Sequence, residues 1–314
     1  MVFTAFRGMK PFPQLMFSAF VIIVSFLLFM LVSLVAAIPL FGLDSMMSIP
    51  SASNMNDPES IKMLKYFQVV QSFGLFIVPP IILGWLFHGK ITNYLNLDKR
   101  TNAASIFLVT LLIIFALPLI NFIGEWNTQM NFPEWLSGVE RWMKNAEENA
   151  AELTEVFLKV ETTSGLLFNL FMIALLPAIG EELLFRGVIQ RIFTRMMQNH
   201  HWGIWISAIL FSALHMQFYG FVPRMLLGVL FGYLLVWSGS MWLPIIAHFI
   251  NNGFAVIAMY LVDKNMVNPK VESIGSSPDE YLAIGFSLIA VVLIMWLIKK
   301  ENRKNAFGSL QSNK

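Results

Sequence analysis

Two adjacent acids and an arginine interrupt an apolar stretch in the middle of this 314-residue chain. Glu181, Glu182 and Arg186 lie in a mostly apolar run from Gly165 to about Met197. An ionised side chain at the centre of a bilayer costs on the order of 3 kcal/mol on insertion scales, so such residues face a partner or a wet cavity. On a helix, Glu182 and Arg186 stand one turn apart and can pair, whereas Glu181 projects about 100° away and stays available. This stretch is the first candidate for a functional centre.

Two later apolar segments carry polar residues at helical spacing. His215 follows Phe211 by four residues, and Asn252 follows His248 by four, so each pair lies on one helical face. At a rise of 1.5 Å per residue, both histidines, Asn252 and Glu181 come to a similar depth, in the half of the bilayer nearest the predicted inner face. A membrane histidine or an intrahelical ion pair is structural as often as functional. The common depth of all four favours a functional polar site.

Carboxylates, imidazoles and a carboxamide together suit the hydrolysis of an amide bond. Glu181, helped by His215, can take a proton from water, because apolar surroundings make a carboxylate a good general base. The water then attacks a peptide carbonyl, and His248 and Asn252 can donate to the oxyanion. Other protease types are unsupported, because the chain has no H-E-x-x-H motif and no G-x-S-x-G motif.

The composition predicts a polytopic membrane protein. Hydrophobic residues make up 57% of the chain and charged residues 13%, against roughly 25% charged in soluble domains. The absence of cysteine excludes disulfides, a thiolate nucleophile and cysteine metal ligands. A net charge of +2 gives no support to a nucleic-acid partner.

The apolar segments predict an all-α bundle of about eight transmembrane helices, since a spanning helix needs about 20 apolar residues. The fifth segment is short enough to stop at mid-depth and turn inside the protein. The first is too long for the core of a signal peptide, so we expect it to be retained. The predicted segments are 15–40, 66–87, 103–123, 164–192, 203–217, 224–237, 241–262 and 281–298.

Loop charges orient the predicted helices. Lys and Arg are more numerous in the segments that share a side with the N-terminus, which predicts that both termini are cytoplasmic. The outer loop, about 124–163, is rich in Glu and has two amphipathic helical patterns, one containing Trp135 and Trp142 and the other Leu153 and Phe157. The loop either lies on the outer membrane surface or caps the bundle.

The three motifs together resemble those of a known family, the CAAX prenyl endopeptidases and bacteriocin-processing enzymes, also called CPBP or Abi intramembrane proteases. That family has E-E-x-x-x-R, F-x-x-x-H and H-x-x-x-N/D in this order. The resemblance covers 164–262 as a catalytic core, between N-terminal helices with the acidic loop (1–163) and a last helix with a basic cytoplasmic tail (263–314). The matching site residues are Glu181, Glu182, Arg186, His215, His248 and Asn252.

The resemblance implies a glutamate-dependent endopeptidase with a conical cavity open to the cytoplasm and the bilayer. The first Glu and first His would activate water, and the second His and the Asn would line an oxyanion pocket. We therefore expect a protein of the bacterial cytoplasmic membrane that cleaves a peptide or protein near the cytoplasmic face, in contact with lipid. Relatives also take part in bacteriocin maturation and self-immunity.

Three alternatives remain open from the sequence. The same protease can depend on zinc held by Glu181, His215 and His248, although we expect no cofactor. A proton-coupled transporter can use the same three side chains as a relay. A non-catalytic membrane scaffold of the bacteriocin-immunity type can retain the motifs without activity.

Overall fold

The structure is a computed structural model that describes residues 6–43, 46, 57–130, 132–269, 274–277 and 280–311, with side chains described as far as 303. In this part of the chain there are helices and loops and no strand, which confirms the all-α prediction. The principal helices are α1 (Pro11–Phe41), α2 (Pro58–His88), α3 (Ala103–Thr128), α4 (Ser137–Leu158), α5 (Thr163–Met197), α6 (His200–Ala213), α7 (Phe221–Ser238), α8 (Trp242–Asp263) and α9 (Tyr281–Gln311).

The predicted polytopic membrane bundle is confirmed. Among the described residues, seven helices are long and apolar enough to cross a membrane: α1, α2, α3, α5, α7, α8 and α9. The fifth predicted segment is α6, which has only 14 residues and falls short of a span. Most of the predicted basic tail is helical, because α9 continues to Gln311. Residues 312–314 of that tail lie outside the described residues.

Polar residues and glycines mark several helix boundaries. Asp57, Asn102 and Asn199 stand at the N-caps of α2, α3 and α6, where each side chain accepts a hydrogen bond from a backbone N–H of the first turn. Gly89 and Gly239 end α2 and α7 with φ angles of 87° and 66°. This left-handed conformation is readily adopted only by glycine.

The helices alternate in direction, so the bundle has two ends. At the first, the termini end, α1 begins, α5 finishes and Arg195 Nη1 donates to Gln14 Oε1 at 3.0 Å. At the opposite end, the α4 end, Asn121 Nδ2 donates to the backbone oxygen of Ile274 at 2.9 Å. The position of any group along the bundle can be given relative to these two ends.

The central helix α5 is irregular around the predicted acids. Two of its segments, Leu170–Leu175 and Phe185–Ile189, are wound as π-helix, a form that often marks functional sites. Gly180 lets α5 approach α2 closely, because a Cβ at this position would lie 2.7 Å from the Cβ of Phe76. The residue before Glu181 must therefore be very small for the acid to keep its place.

Much of the acidic loop that the sequence analysis placed outside the membrane folds into helix α4, which covers one end of the bundle. Tyr219 N donates to Glu147 Oε2 at 3.1 Å, and this bond ties the middle of α4 to the turn between α6 and α7. Lys65 Nζ donates to the backbone oxygen of Phe157 at 2.9 Å, which fixes the end of α4 to α2. Trp135, in the turn before α4, is 80% exposed. The loop is therefore a cap that leaves its first aromatic residues uncovered.

Candidate functional site

The predicted site residues come together around one cavity. Glu181, Glu182 and Arg186 lie on α5, and His248 and Asn252 lie on α8. The sixth, His215, stands two residues beyond the end of α6 rather than on the helix as the spacing predicted. The cavity has a volume of about 650 Å³, and its walls include Glu181, His215, His248 and Asn252.

Glu182 is fully buried and joins two helices. Its Oε1 accepts from Arg186 Nη1 at 2.9 Å, which confirms the predicted pair within α5. The same oxygen accepts from Nδ1 of His248 at 2.8 Å, across 66 residues of sequence. Glu182 therefore orients the imidazole of α8 in addition to neutralising the arginine, and only the second role could be read from the sequence.

Arg186 is also buried, and a backbone carbonyl and two aromatic rings stabilise its positive charge in addition to Glu182. Nη2 donates to the backbone oxygen of Gly228 on α7 at 3.1 Å. The guanidinium carbon lies 4.7 Å from the ring centroid of Phe211 and 5.5 Å from that of Phe231, within the range of cation–π attraction. This end of the site is a polar network closed to solvent by aromatic walls, in which Glu182 Oε2 has no hydrogen-bond partner among the described residues.

Glu181 faces the cavity, as the 100° rotation from its neighbour predicts. Its Oε2 lies 3.8 Å from Nε2 of His248, too far for a hydrogen bond and close enough for a small reacting group to contact both. Glu181 thus has no direct hydrogen bond to an acid or imidazole among the described residues, whereas Glu182 is hydrogen-bonded to both Arg186 and His248.

In His215 and His248, Nδ1 is hydrogen-bonded within the protein and Nε2 remains available to a ligand in the cavity. His215 Nδ1 lies 2.8 Å from the backbone oxygen of Phe211, and a carbonyl only accepts, so Nδ1 carries the proton and Nε2 has a free lone pair. His248 Nδ1 is held by Glu182, so its Nε2 is the free atom on the cavity side. Phe231 stacks on His248 with ring centroids 5.2 Å apart, which further fixes this imidazole.

The carboxamide of Asn252 is anchored to α5. Its Nδ2 donates to the backbone oxygen of Ile173 at 3.2 Å, and its Oδ1 accepts from Asn251 Nδ2 at 3.1 Å. Ile173 lies four residues before Pro177, and proline has no N–H to offer that carbonyl. One N–H of the Asn252 amide remains for another acceptor, since the group has two.

The cavity extends from these residues toward the α4 end. Its further walls include Gln68, Gln71, Ile120, Leu153 and Thr154, all on the α4 side of Glu181. In the described part of the chain, none of its lining residues belongs to the termini end. Two expectations from the sequence are therefore incompatible: if both termini are cytoplasmic, this cavity does not open toward the cytoplasm.

The residues proposed as zinc ligands do not form a metal site in this structure. Among the described residues, no three His, Asp or Glu side chains converge closely enough to hold a metal ion. Glu181, His215 and His248 share the cavity wall without meeting at ligand distance. We therefore derive no step through a metal.

One charged residue of the cavity wall was not assigned a role from the sequence. Arg224, in the first turn of α7, lines the cavity together with Gln217 and Gly220. The signal was present, because Arg224 is the ionisable residue of an otherwise apolar segment. Its position between motifs gave no reason to connect it with Glu181.

The fold and the cluster define a helical membrane protein with a polar site buried inside its bundle. Comparison with known proteins is more specific. Residues 163–254 match the family model described as type II CAAX prenyl endopeptidase Rce1-like. This segment contains all three motifs, so the family resemblance predicted from the sequence is confirmed for residues 163–254.

A curated relative matches part of the same chain. It is the "Uncharacterized protein YpbD" of Bacillus subtilis (strain 168), which is 33% identical over 86 residues. The match covers 26% of this chain and 41% of the relative, so the chain spans less than half the length of that protein. No solved structure matches.

Proposed function

We propose that this protein is an intramembrane endopeptidase that hydrolyses a peptide bond with a water molecule activated by Glu181. The observation that carries the proposal is the arrangement of Glu181, His215 and His248 around one cavity, with Glu182 and Arg186 paired behind them. The match to a prenyl endopeptidase family over 163–254 supports this class of reaction.

Glu181 is the general base of the proposed reaction. It faces the cavity without a counter-charge in hydrogen-bond contact, whereas Glu182 is neutralised by Arg186. Nε2 of His215 accepts a hydrogen bond from the same water and orients it, because Nδ1 is committed to Phe211. Glu181 takes one proton as the water oxygen attacks the peptide carbonyl carbon, and the carbonyl oxygen becomes an oxyanion.

His248 stabilises the oxyanion in this scheme. Its Nδ1 is bonded to the Glu182 carboxylate, so the Nε2–H of the protonated ring is the donor that reaches the oxyanion in this scheme. Asn252 contributes the N–H that Ile173 does not use. The intermediate then collapses, the C–N bond breaks, and protonated Glu181 returns its proton to the leaving amine nitrogen.

The proposed route needs no metal. A strong chelator should therefore leave peptide cleavage unchanged, and added zinc should not increase it. Loss of cleavage on chelation with recovery on zinc addition would instead establish the zinc-dependent version with Glu181, His215 and His248 as ligands.

The substrate is proposed to be a peptide or protein that enters from the α4 side. The loop charges favour cytoplasmic termini, so we propose that this side faces the outside of the cell. The chain has no cysteine, which makes single-cysteine labelling direct. Asn149→Cys on α4 should react with an impermeant maleimide on intact cells, and Lys99→Cys should react only after permeabilisation. The reverse pattern would put the cavity on the cytoplasmic side, as the family resemblance implies.

Cleavage by purified protein tests the proposed function. Wild type in detergent should cut a family-type peptide, and Glu181→Gln, which keeps the size of the side chain, should cut it about 10²- to 10⁴-fold more slowly. Glu148→Gln on the exposed face of α4 is the matched control and should cut at the wild-type rate. Equal cleavage by wild type and Glu181→Gln, with both proteins folded, contradicts the proposal.

A further inference from the structure

One apolar stripe runs along the whole of α4 and meets two different surroundings. Its members recur every three or four residues, so they lie on one face of the helix. The opposite face carries exposed charged residues, among them Arg141, Glu148 and Glu152. The stripe consists of Val139, Trp142, Ala146, Ala150, Leu153 and Phe157.

The bundle covers only the second half of this stripe. Ala150, Leu153 and Phe157 line the cavity beneath α4. In the first half, Val139 is 46% exposed and Trp142 is 51% exposed among the described residues. Because α4 is one continuous helix, its first half faces the same way as its second half, toward the level of the membrane and not away from it.

The end of α3 lies beside the first half of α4. Met130 and Phe132, which follow α3, form the wall of a cavity of about 250 Å³ together with Met143 of α4. α3 has 26 residues, or about 39 Å, so its ends reach past a hydrocarbon core about 30 Å thick. Trp126, in its last turn, is 56% exposed and follows the exposed Phe122 by one helical turn. The outward surface of a spanning helix thus continues onto α4.

We propose that the first half of α4 is an anchor in the headgroup region of the bilayer, on the side of the membrane where α4 lies. The anchor surface is formed by Trp126, Trp135, Val139 and Trp142. Tryptophan suits this position, because its ring is apolar and its N–H can bond to water or headgroups. The inference goes beyond the proposed function, since it holds whether or not the protein cleaves a peptide.

The partner of the anchor surface is the uncharged part of the interface rather than an anionic headgroup. α4 carries five glutamates against one arginine and one lysine, so anionic lipid repels it. Burial of apolar side chains drives the contact instead. It should therefore be the same in vesicles of phosphatidylcholine with and without phosphatidylglycerol.

Fluorescence quenching in vesicles tests the anchor. The chain has no cysteine, so Val139→Cys and its matched control Glu148→Cys, on the opposite face of α4, each give one labelled position. In phosphatidylcholine vesicles the Val139→Cys label should lose about half its emission to lipids with a nitroxide near the headgroup, because interfacial helices bury their apolar face about 5–10 Å deep. Iodide on both sides of the membrane should quench it little. The Glu148→Cys label should show the reverse pattern.

Substitution of the tryptophans tests which side chains hold the anchor. Trp135→Ser/Trp142→Ser, in the Val139→Cys protein, should abolish most of the quenching by lipid and leave the helical content unchanged, because both rings are more than half exposed. Trp202→Ser removes an exposed tryptophan at the termini end and should change nothing at Val139.

Each other result contradicts the anchor in a recognisable way. Strong quenching of the Val139→Cys label by iodide would show that water covers this face. Protection from both quenchers would show that a second copy of the chain covers it. Equal quenching by lipid at Val139 and Glu148, or quenching that requires phosphatidylglycerol, would overturn the assignment of one apolar face to an uncharged interface.

Discussion

Arg186 and Arg224 are two guanidinium groups in one apolar bundle, and they are held in opposite ways. Arg186 pairs with Glu182, donates to a backbone carbonyl and lies between two aromatic rings. The guanidinium of Arg224 has hydrogen bonds only to Gln217 among the described residues and faces the cavity. The first arginine belongs to a closed polar network on the termini side of the site, and the second belongs to the open wall toward α4.

The difference separates two parts of the site: the buried network around Arg186 stabilises the bundle, and the cavity wall around Arg224 is open to a ligand. A buried charge is tolerated only when paired, and removing one partner leaves the other without compensation. Substitutions in the closed network should therefore lower the free energy of unfolding, whereas substitutions in the open wall should lower binding or turnover and change stability little.

The largest effect is expected for Arg186→Met. It leaves the Glu182 carboxylate buried without its cation, so the free energy of unfolding should fall by about 3–5 kcal/mol in a detergent denaturation assay. The double variant Glu182→Gln/Arg186→Met removes both charges and should recover a large part of this loss. Arg141→Met, on exposed α4, is the control and should stay within about 0.5 kcal/mol of wild type. If Arg186→Met and Arg141→Met had equal free energies of unfolding, the pairing of Arg186 with Glu182 would not stabilise the fold.

A smaller loss is expected for Gly180→Ala. The new methyl group would meet Phe76 Cβ at 2.7 Å, so α5 and α2 must separate, and overpacking of this kind costs about 1–3 kcal/mol. The rate of peptide cleavage should fall together with the stability, because the same separation displaces Glu181, the next residue. Gly124→Ala on α3 is the matched control, since its Cβ would meet no atom within 4 Å. If both variants unfold at the wild-type temperature, the close approach does not position the acid.

Asn252→Ala should affect turnover more than stability. It removes the amide that holds Ile173 and the proposed donor to the oxyanion, so the rate of peptide cleavage should fall about 10- to 100-fold. The free energy of unfolding should fall by only about 1 kcal/mol. Asn251→Ala keeps the bond to Ile173 and should lose less activity. A non-catalytic scaffold would bind its partner equally well with either variant.

The smallest effect is expected at the attachment of α4. Lys65→Met removes hydrogen bonds to the backbone oxygen of Phe157 and to Asn169 Oδ1, which should cost about 1 kcal/mol and speed hydrogen exchange in the last turn of α4. Lys62→Met on the same helix breaks only an exposed pair with Glu59 and is the control. Unchanged exchange in α4 after Lys65→Met would mean that other contacts hold the cap.

Much of this architecture could be predicted from the sequence. Long apolar runs identify the spanning helices because the bilayer requires them, and the short fifth run correctly predicts α6 as less than a span. The pairing of Glu182 with Arg186 follows from spacing within one helix. These features depend on neighbours close in sequence.

Features that depend on packing between helices could not be predicted. The bond between Glu182 and His248 joins α5 to α8, and no pattern in either helix specifies it. The π-helical segments of α5 shift side chains from the regular helical positions that the sequence analysis assumed. The direction of the cavity follows from the three-dimensional positions of α4 and the 215–220 turn, which also bring Arg224 into its wall.

Pro177 has a consequence for how α5 and α8 are aligned. Because it supplies no N–H, the carbonyl of Ile173 is left for a donor from another helix, and Asn252 provides it. Sliding α8 along α5 by one turn, about 5.4 Å, would separate that donor from its acceptor inside an apolar bundle. A residue that takes no part in the proposed reaction thus sets the relative height of Glu181, the proposed general base, and the Asn252 amide opposite it.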